Sequence, residues 1–449
     1  AYGLSKHFVP KTFTDRYLNY EFAHPPLMHF YTAASLFLAG HLEDVKYYYD
    51  YAQKFEELMN KRPKQGEKIS FSVFGFNPFE VEILKIEGDE IILDKDIPFL
   101  EPNRRLVPVG KYRFIRDNQI KEDYIPVSER TVVRKVNYGI IKSGEYWKMA
   151  REVYETFYAQ PLLLYSRLPN IFFTLLSCWV VYLIVLSFTQ SKILSCFALL
   201  VFITIPELLI RAVGGSYTAV DIYFILIVTY IYLAGKRKWV LFCASAMAAL
   251  TDHKLLILAV SFMVTEALKG NLFRKNSPML AMSFGFFSGT ALFWIYGISI
   301  NKEAFFADHF RYHFVNRIFH LQDFGYSGYS SIGNLWWEFI RVLNPFLFLS
   351  FLITFFVFML NRFKAKTSIF LITYSVIGAF IFSIIDWRST KHLILLIPAL
   401  LLFIFDNFPS MANNRKIIVS ILSLAVIFNI WRIVHFTFTM DLSLINRIW

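Results

Sequence analysis

A chain of 449 residues that is 56% hydrophobic and only 18% charged, with 49 Phe and a mean hydropathy of +0.44, carries more apolar surface than one soluble core can bury. A soluble enzyme is excluded and lipid-facing surface is implied. The formal charge of +12 does not call for a nucleic acid, because the Lys and Arg residues sit largely at the ends of apolar blocks, where anionic headgroups and membrane topogenesis account for them. The three cysteines, Cys178, Cys196 and Cys243, fall inside apolar blocks at no spacing that suits a disulfide framework or a zinc site.

In chain order, residues 1–65 read as an outer juxtamembrane segment. Its acidic and aromatic start, Ala1 to Glu21, has no charged-then-apolar signal pattern and cannot insert by itself. The Pro25-Pro26 pair then starts a short apolar helix over 25–40, expected to lie at the interface. From 66 to 143 the pattern changes to short β-branched and aromatic runs, KISFSVF, EVEILKI and EIILDKD, punctuated by Gly, Pro and Asn-Pro. A small inserted β domain is predicted there, with a hairpin at Ile86-Glu87-Gly88-Asp89-Glu90. It contains no catalytic constellation and reads as a spacer or a docking module for a protein partner. Charged amphipathic helices frame it, His41 to Asn60 and Gly144 to Tyr158, the second within a juxtamembrane segment over 144–168 that breaks at Gln160-Pro161.

Residues 169–449 read as a transmembrane helical bundle. A hydrocarbon core of about 30 Å needs roughly 20 apolar helical residues, fewer where a helix packs against protein. Ten spans are predicted, near 170–188, 193–211, 219–235, 238–252, 255–268, 278–297, 341–361, 367–385, 392–406 and 416–434. Lys236-Arg237-Lys238, Arg274-Lys275, Arg362 to Lys366 and Arg415-Lys416 fall at every second junction, which the positive-inside rule assigns to the cytoplasmic face. The alternate junctions, and everything before Leu168, then open outward. Trp239 to Gly270 reads as a hairpin with Thr251-Asp252-His253-Lys254 at its tip, because a single tilted helix there would move Arg274-Lys275 outside.

Ionisable side chains at span ends are costly and mark candidate sites, with snorkelling and capping as the plain alternatives. Arg211, Asp221, Asp252, His253, Lys254, Asp386, Arg388 and Lys391 all lie at outward ends. Lys and Arg grouped beside an outward cavity suit a phosphate or pyrophosphate. A carboxylate there suits deprotonation of an acceptor hydroxyl or the holding of a divalent cation such as Mg or Mn, although no cofactor is required by the pattern. Asp221 is either a helix N-terminal carboxylate favoured by the dipole or a site residue. Lys254, with apolar runs on both sides, must snorkel or find an anion, and the anion is the preferred reading. His309 and His313 stand four apart near Asp308, but that spacing is common, so they read as interfacial residues and no metal site is predicted. Trp336-Trp337 marks a membrane interface.

At His24-Pro25-Pro26-Leu27 the chain resembles the polytopic glycosyltransferases that use lipid-phosphate sugars, the protein O-mannosyltransferases with HPPL and the lipid A aminoarabinose transferases with KPPL. Further matches follow in order: Ser166-Arg167-Leu168-Pro169 opening a span, Asp221 after two spans, Ala249 to Lys254 where the relatives have a Leu-Thr-Lys element, and Thr390-Lys391-His392 leading into Leu396-Ile397-Pro398-Ala399-Leu400. The resemblance implies an all-α polytopic GT-C bundle that transfers mannose or a related sugar from a polyprenyl or dolichyl phosphate to a protein or lipid acceptor, with inversion, on the extracytoplasmic face. It also implies a multi-pass integral protein, of a prokaryotic cell membrane rather than the endoplasmic reticulum. By match, His24 and Lys254 would contact donor phosphate, Lys391 would assist, and Asp221 would support the acceptor or a cation; Arg211 and Arg388 join the substrate-binding set by position. The family's acidic base pair would precede Ala1. Thr251-Asp252-His253-Lys254 replaces a contiguous Thr-Lys, and the β insert has no counterpart. A non-catalytic scaffold of the same fold is the alternative reading. A transporter is less favoured, since no paired halves with corresponding broken helices occur.

Overall fold

The structure is a computed structural model of the chain. It describes residues 11–13, 18–20, 25–41, 65–66, 68–71, 79–87, 90–93, 111–116, 119–124, 142–143, 162–213, 217–235, 237–270, 278–306, 309–310, 336–337, 339–340, 343–360, 366–384, 390–411 and 414–439. The chain divides into two compact units, one of Ala1–Phe22, Leu36–Tyr165 and Glu303–Tyr329, the other of Ala23–Ser35, Ser166–Lys302 and Ser330–Trp449. Segment 23–35 thus groups with the helices of the second unit.

In the first unit, β1 (Lys11–Phe13) pairs with β2 (Leu18–Tyr20). The strands β3 (Lys68–Phe71), β4 (Phe79–Glu87), β5 (Glu90–Leu93), β6 (Lys111–Arg116), β7 (Gln119–Tyr124) and β8 (Lys142–Ser143) are ordered β7-β6-β5-β4-β3-β8. Glu87 of β4 pairs with Glu90 of β5, antiparallel. The amphipathic helices expected over 41–60 and 144–158 lie outside the described residues.

The second unit is helical. Its elements are α1 (Leu27–Leu38), α2 (Leu162–Thr189), α3 (Lys192–Ile203), α4 (Pro206–Val213), α5 (Thr218–Leu233), α6 (Lys238–Ala249), α7 (Leu256–Leu268), α8 (Pro278–Phe305), α9 (Pro345–Leu360), α10 (Lys366–Ile384), α11 (Thr390–Leu393), α12 (Ile397–Asn407) and α13 (Arg415–Thr439), with α1, α2 and α8 extending across the unit boundary. Among the described residues three helices are long and apolar enough to cross a membrane, Leu164–Thr189, Pro278–Glu303 and Arg415–His435, and a fourth crossing results if the bent pair α3 and α4 counts as one. The other predicted spans overlap apolar helices, most of them shorter than the thickness of a membrane requires.

Burial explains the short ones. Helix α5 is covered along its length, from Val220 and Ile222 through Leu226 and Val228 to Ile231, and α12 likewise from Ile397 to Phe405. A helix surrounded by protein need not match the thickness of lipid, and irregular backbone is tolerated beside it. The long helices instead carry exposed rows such as Phe172 and Trp179, Phe284 and Phe287, and Ile427 and Trp431.

Two expected spans are broken. The segment predicted as one helix over 193–211 bends by 70° between Ile203 and Pro206. Pro206 has no backbone N–H and its ring crowds the preceding turn, so it opens a new helix. The Thr204 hydroxyl donates to Leu200 O at 2.8 Å, which also accepts Thr204 N, and to Val201 O at 3.1 Å, so the side chain turns back onto the last turn of α3 at the break. The segment over 392–406 is interrupted by a tight turn at Ile394–Leu396, all three residues buried. Between 239 and 270 there are two helices separated by the turn His253–Leu255, not one continuous helix.

Helices α5 and α7 both end on a glycine in the left-handed region, Gly235 (φ 58°) and Gly270 (φ 68°), which lets the chain leave before a basic cluster. Close packing governs α8. A Cβ on Gly285 would fall 2.8 Å from Ser245 Cβ, and one on Gly289 would fall 2.9 Å from Ala249 Cβ, both against the backbone of α6. This is the small-xxx-small seam by which helices approach in lipid. Gly289→Val is therefore expected to lower bundle stability by about 1–3 kcal/mol through overpacking, measured as a fall in the thermal midpoint of the detergent-solubilised protein, whereas Phe287→Ala, at an exposed position of the same helix, should leave it unchanged within error.

Candidate functional site

The contacts order the bundle along its length. The Tyr232 hydroxyl, near the end of α5, donates to Glu266 Oε1 of α7 at 2.6 Å and receives Lys269 Nζ at 3.0 Å. Phe262 of α7 stacks on Phe370 near the start of α10, with ring centroids 4.0 Å apart. At the start of α10 the Ser368 hydroxyl donates to Asp406 and accepts from Asn407 Nδ2 at 2.7 Å, and Arg415 donates to Phe408 O and Pro409 O. The ends of α5, α7 and α12 and the starts of α10 and α13 thus gather on one side, and those are the ends that adjoin the four basic clusters.

The other ends of α5 and α7 gather the charged residues. Asp221 lies in the first turn of α5 and Asp252 and Lys254 lie in the turn that precedes α7. Lys254 Nζ donates to Asp252 Oδ2 at 2.6 Å and stands 3.9 Å from Asp221 Oδ2. The two carboxylates are 0–2% exposed while the lysine side chain is 23% exposed, so the cation forms the accessible side of the group and the carboxylates lie behind it. Asp252 also caps the turn, its Oδ1 accepting Lys254 N at 2.9 Å. Two acidic residues thus stand against one ammonium, whereas the sequence alone points Lys254 to an external anion.

Helix α1 is tied to the same place. Leu27 N donates to Leu250 O at 3.3 Å, two residues before Asp252. Two residues further on, His29 Nε2 and the Tyr217 hydroxyl are 2.6 Å apart, and Tyr217 O accepts Asp221 N at 2.9 Å to begin α5. Burial pushes the His29 imidazole down to about 4 from its ordinary 6.5, so the neutral ring can accept the phenol proton. From the other flank, α5 packs against the turn at Ile394–Leu396, where the Tyr374 hydroxyl donates to Leu395 O at 3.2 Å.

Of the sequence-predicted residues, Asp221 and Lys254 meet. Arg211 is buried in the last turn of α4, one turn after Glu207, whose carboxylate pairs with Arg432 of α13. His24 and Arg388 lie outside the described residues, as does the side chain of Lys391, whose backbone belongs to α11. His313 also lies outside them; His309 stacks on Phe305 with centroids 5.0 Å apart. Among the described residues no group of three or more His, Cys, Asp or Glu could hold a metal ion.

Sequence reasoning missed the parts played by Asp252, His29, Tyr217, Glu207 and Arg432. Arg432 stood in plain view as an ionisable residue inside an apolar block, which is itself a signal. The His29 and Tyr217 pairing, 188 residues apart, has no local signature. Comparison of the chain with family models, with curated proteins and with solved structures returns no match.

Proposed function

We propose that the chain is a membrane glycosyltransferase of the GT-C type, with about ten spans and an outward β insert, that moves a sugar from a polyprenyl-phosphate donor to a protein or lipid acceptor on the extracytoplasmic face. The observation that carries the reading is the convergence of Asp221, Asp252 and Lys254 at the end of the bundle opposite the basic clusters, with Leu27, which follows the Pro25-Pro26 pair, hydrogen-bonded to Leu250 beside them. Elements separated by more than two hundred residues in sequence supply a cation, two carboxylates and the one motif whose resemblance suggested a lipid-phosphate donor.

In the proposed reaction an acceptor oxygen attacks the anomeric carbon, the bond from that carbon to the phosphate oxygen breaks, and the lipid phosphate leaves with the bonding pair. The acceptor proton passes to a carboxylate, for which Asp221 is this chain's candidate. Lys254, at the accessible side, meets the charge that develops on the leaving phosphate, and the carboxylates behind it favour the oxocarbenium-like sugar. His24, Arg211, Arg388 and Lys391 remain the proposed phosphate-side contacts, and a divalent cation would find its charge complement in Asp221 and Asp252. No step depends on it.

One observation favours a second reading. Lys254 already has two counter-charges of its own, so the cluster is self-sufficient as a structural ion group, as a non-catalytic scaffold of this fold would keep it. Purified protein in lipid nanodiscs, supplied with polyprenyl-phosphate mannose and related donors and a peptide or lipid acceptor, separates the two. Transfer is expected with the wild type and about a hundredfold less with Lys254→Ala, in the range for loss of a group that stabilises developing charge. Equal turnover in both proteins would remove Lys254 from the reaction; absence of transfer with any donor would favour the scaffold.

A further inference from the structure

We infer that Asp252 is the positioning residue for Lys254: a single carboxylate both caps the turn and clamps the ammonium, and so fixes where the cluster presents its cation. The inference deepens the sugar-transfer reading and rests on it for what the cation serves.

A lysine side chain is a flexible four-carbon stem ending in a point charge, and by itself holds no fixed direction. Here the stem starts from a turn that Asp252 builds. Asp252 has extended backbone (φ −155°, ψ 140°) and ends the preceding chain as an N-cap, with Oδ1 on the Lys254 backbone N at 2.9 Å. Its other oxygen, Oδ2, takes Lys254 Nζ at 2.6 Å. One rigid group therefore fixes both ends of the lysine, its backbone and its ammonium. Asp221 acts differently. At 3.9 Å its oxygen is beyond hydrogen-bond reach of the ammonium, so it does not fix the direction of the lysine. The whole arrangement depends on the two residues that separate Thr251 from Lys254; in a contiguous Thr-Lys element no carboxylate could occupy the cap and reach the ammonium in this way.

A plain cap and a clamp make opposite predictions for Asp252→Asn. Asparagine caps a helix turn about as well as aspartate, because its amide oxygen accepts the same backbone N–H, but it carries no charge for the ammonium. The test uses the full chain in nanodiscs with lysines reductively methylated with ¹³C, the Lys254 resonance being the one absent from Lys254→Arg. In Asp252→Asn the Lys254 titration midpoint should fall by about one pH unit, a tenfold weaker hold on its proton, and the thermal midpoint should fall by no more than that lost ion pair accounts for. Asp221→Asn should move it less. An unchanged midpoint in Asp252→Asn, or a larger shift in Asp221→Asn than in Asp252→Asn, would overturn the clamp. Should Asp252→Asn fail to fold, Asp252→Ser, which also keeps a cap oxygen, takes its place with the same expected shift. Because no donor sugar enters the measurement, failure of the clamp and failure of the sugar-transfer reading give separate results.

Discussion

Lys254→Met should lower the stability of the bundle by about 3–5 kcal/mol, the penalty for removing one partner of a buried ion group and leaving the other charge uncompensated. The size follows from burial. Asp221 and Asp252 are 0–2% exposed, so water cannot replace the ammonium that sits 2.6 Å from one and 3.9 Å from the other. An exposed pair of the same residues would contribute no more than about 1 kcal/mol. Methionine keeps the length and apolar character of the stem, which isolates the charge from the packing. Neutralising the carboxylates should then reverse the loss: Lys254→Met with Asp252→Asn recovers part of it, and adding Asp221→Asn recovers most. Unfolding midpoints in mixed micelles, compared across the single, double and triple variants, check the sequence of effects. A loss below about 1 kcal/mol in Lys254→Met, or no recovery in the triple variant, would mean that the three groups do not share one desolvated site.

The parts of this site that sequence makes legible are those whose cost is local. Asp221 and Lys254 declare themselves because a charge flanked by apolar runs is expensive wherever the chain goes. Pro206 and the glycines at 235 and 270 also act on their own backbone, but the expectation of one span over 193–211 ignores the bend, because hydropathy averages across it. What stays hidden is pairing. Glu207 with Arg432, and His29 with Tyr217, join positions 225 and 188 residues apart, and nothing in either neighbourhood specifies the other. Asp252 is an intermediate case. Its charge was visible, but its work as cap and clamp depends on a turn geometry that four letters do not encode. The Gly285 and Gly289 seam escaped for a further reason: its partner is the backbone of α6, and the fit is decided by what those glycines lack. Span length also misled in one direction. Helices such as α5 and α12 are shorter than lipid thickness requires and are enclosed by other helices, and α5 carries Asp221 in its first turn.

Membrane sidedness is expected to be all-or-none, and it bears on every proposed role. In a background with Cys178, Cys196 and Cys243 replaced by alanine, cysteine at Lys302 should react with an impermeant maleimide added to intact cells or right-side-out vesicles. Cysteines at Lys238 and Lys416 should react only after permeabilisation. All three lysines are exposed, so reactivity reports the compartment and not local burial. The reasoning combines two independent constraints. Lys and Arg beside span ends are retained on the cytoplasmic face. Separately, the contacts from Tyr232 to Glu266, from Phe262 to Phe370 and from Arg415 to Phe408 gather the helix ends that adjoin all four basic clusters on one side, leaving Asp221, Asp252 and Lys254 toward the other. If the first constraint is right about any one cluster, the second extends it to the rest. Labelling of Lys238→Cys from outside while Lys416→Cys is protected would break the packing order itself. Labelling of both from outside, with Lys302→Cys protected, would keep the packing and invert the protein, placing the charged cluster toward the cytoplasm, where a lipid-phosphate donor presented on the outer face could not reach it.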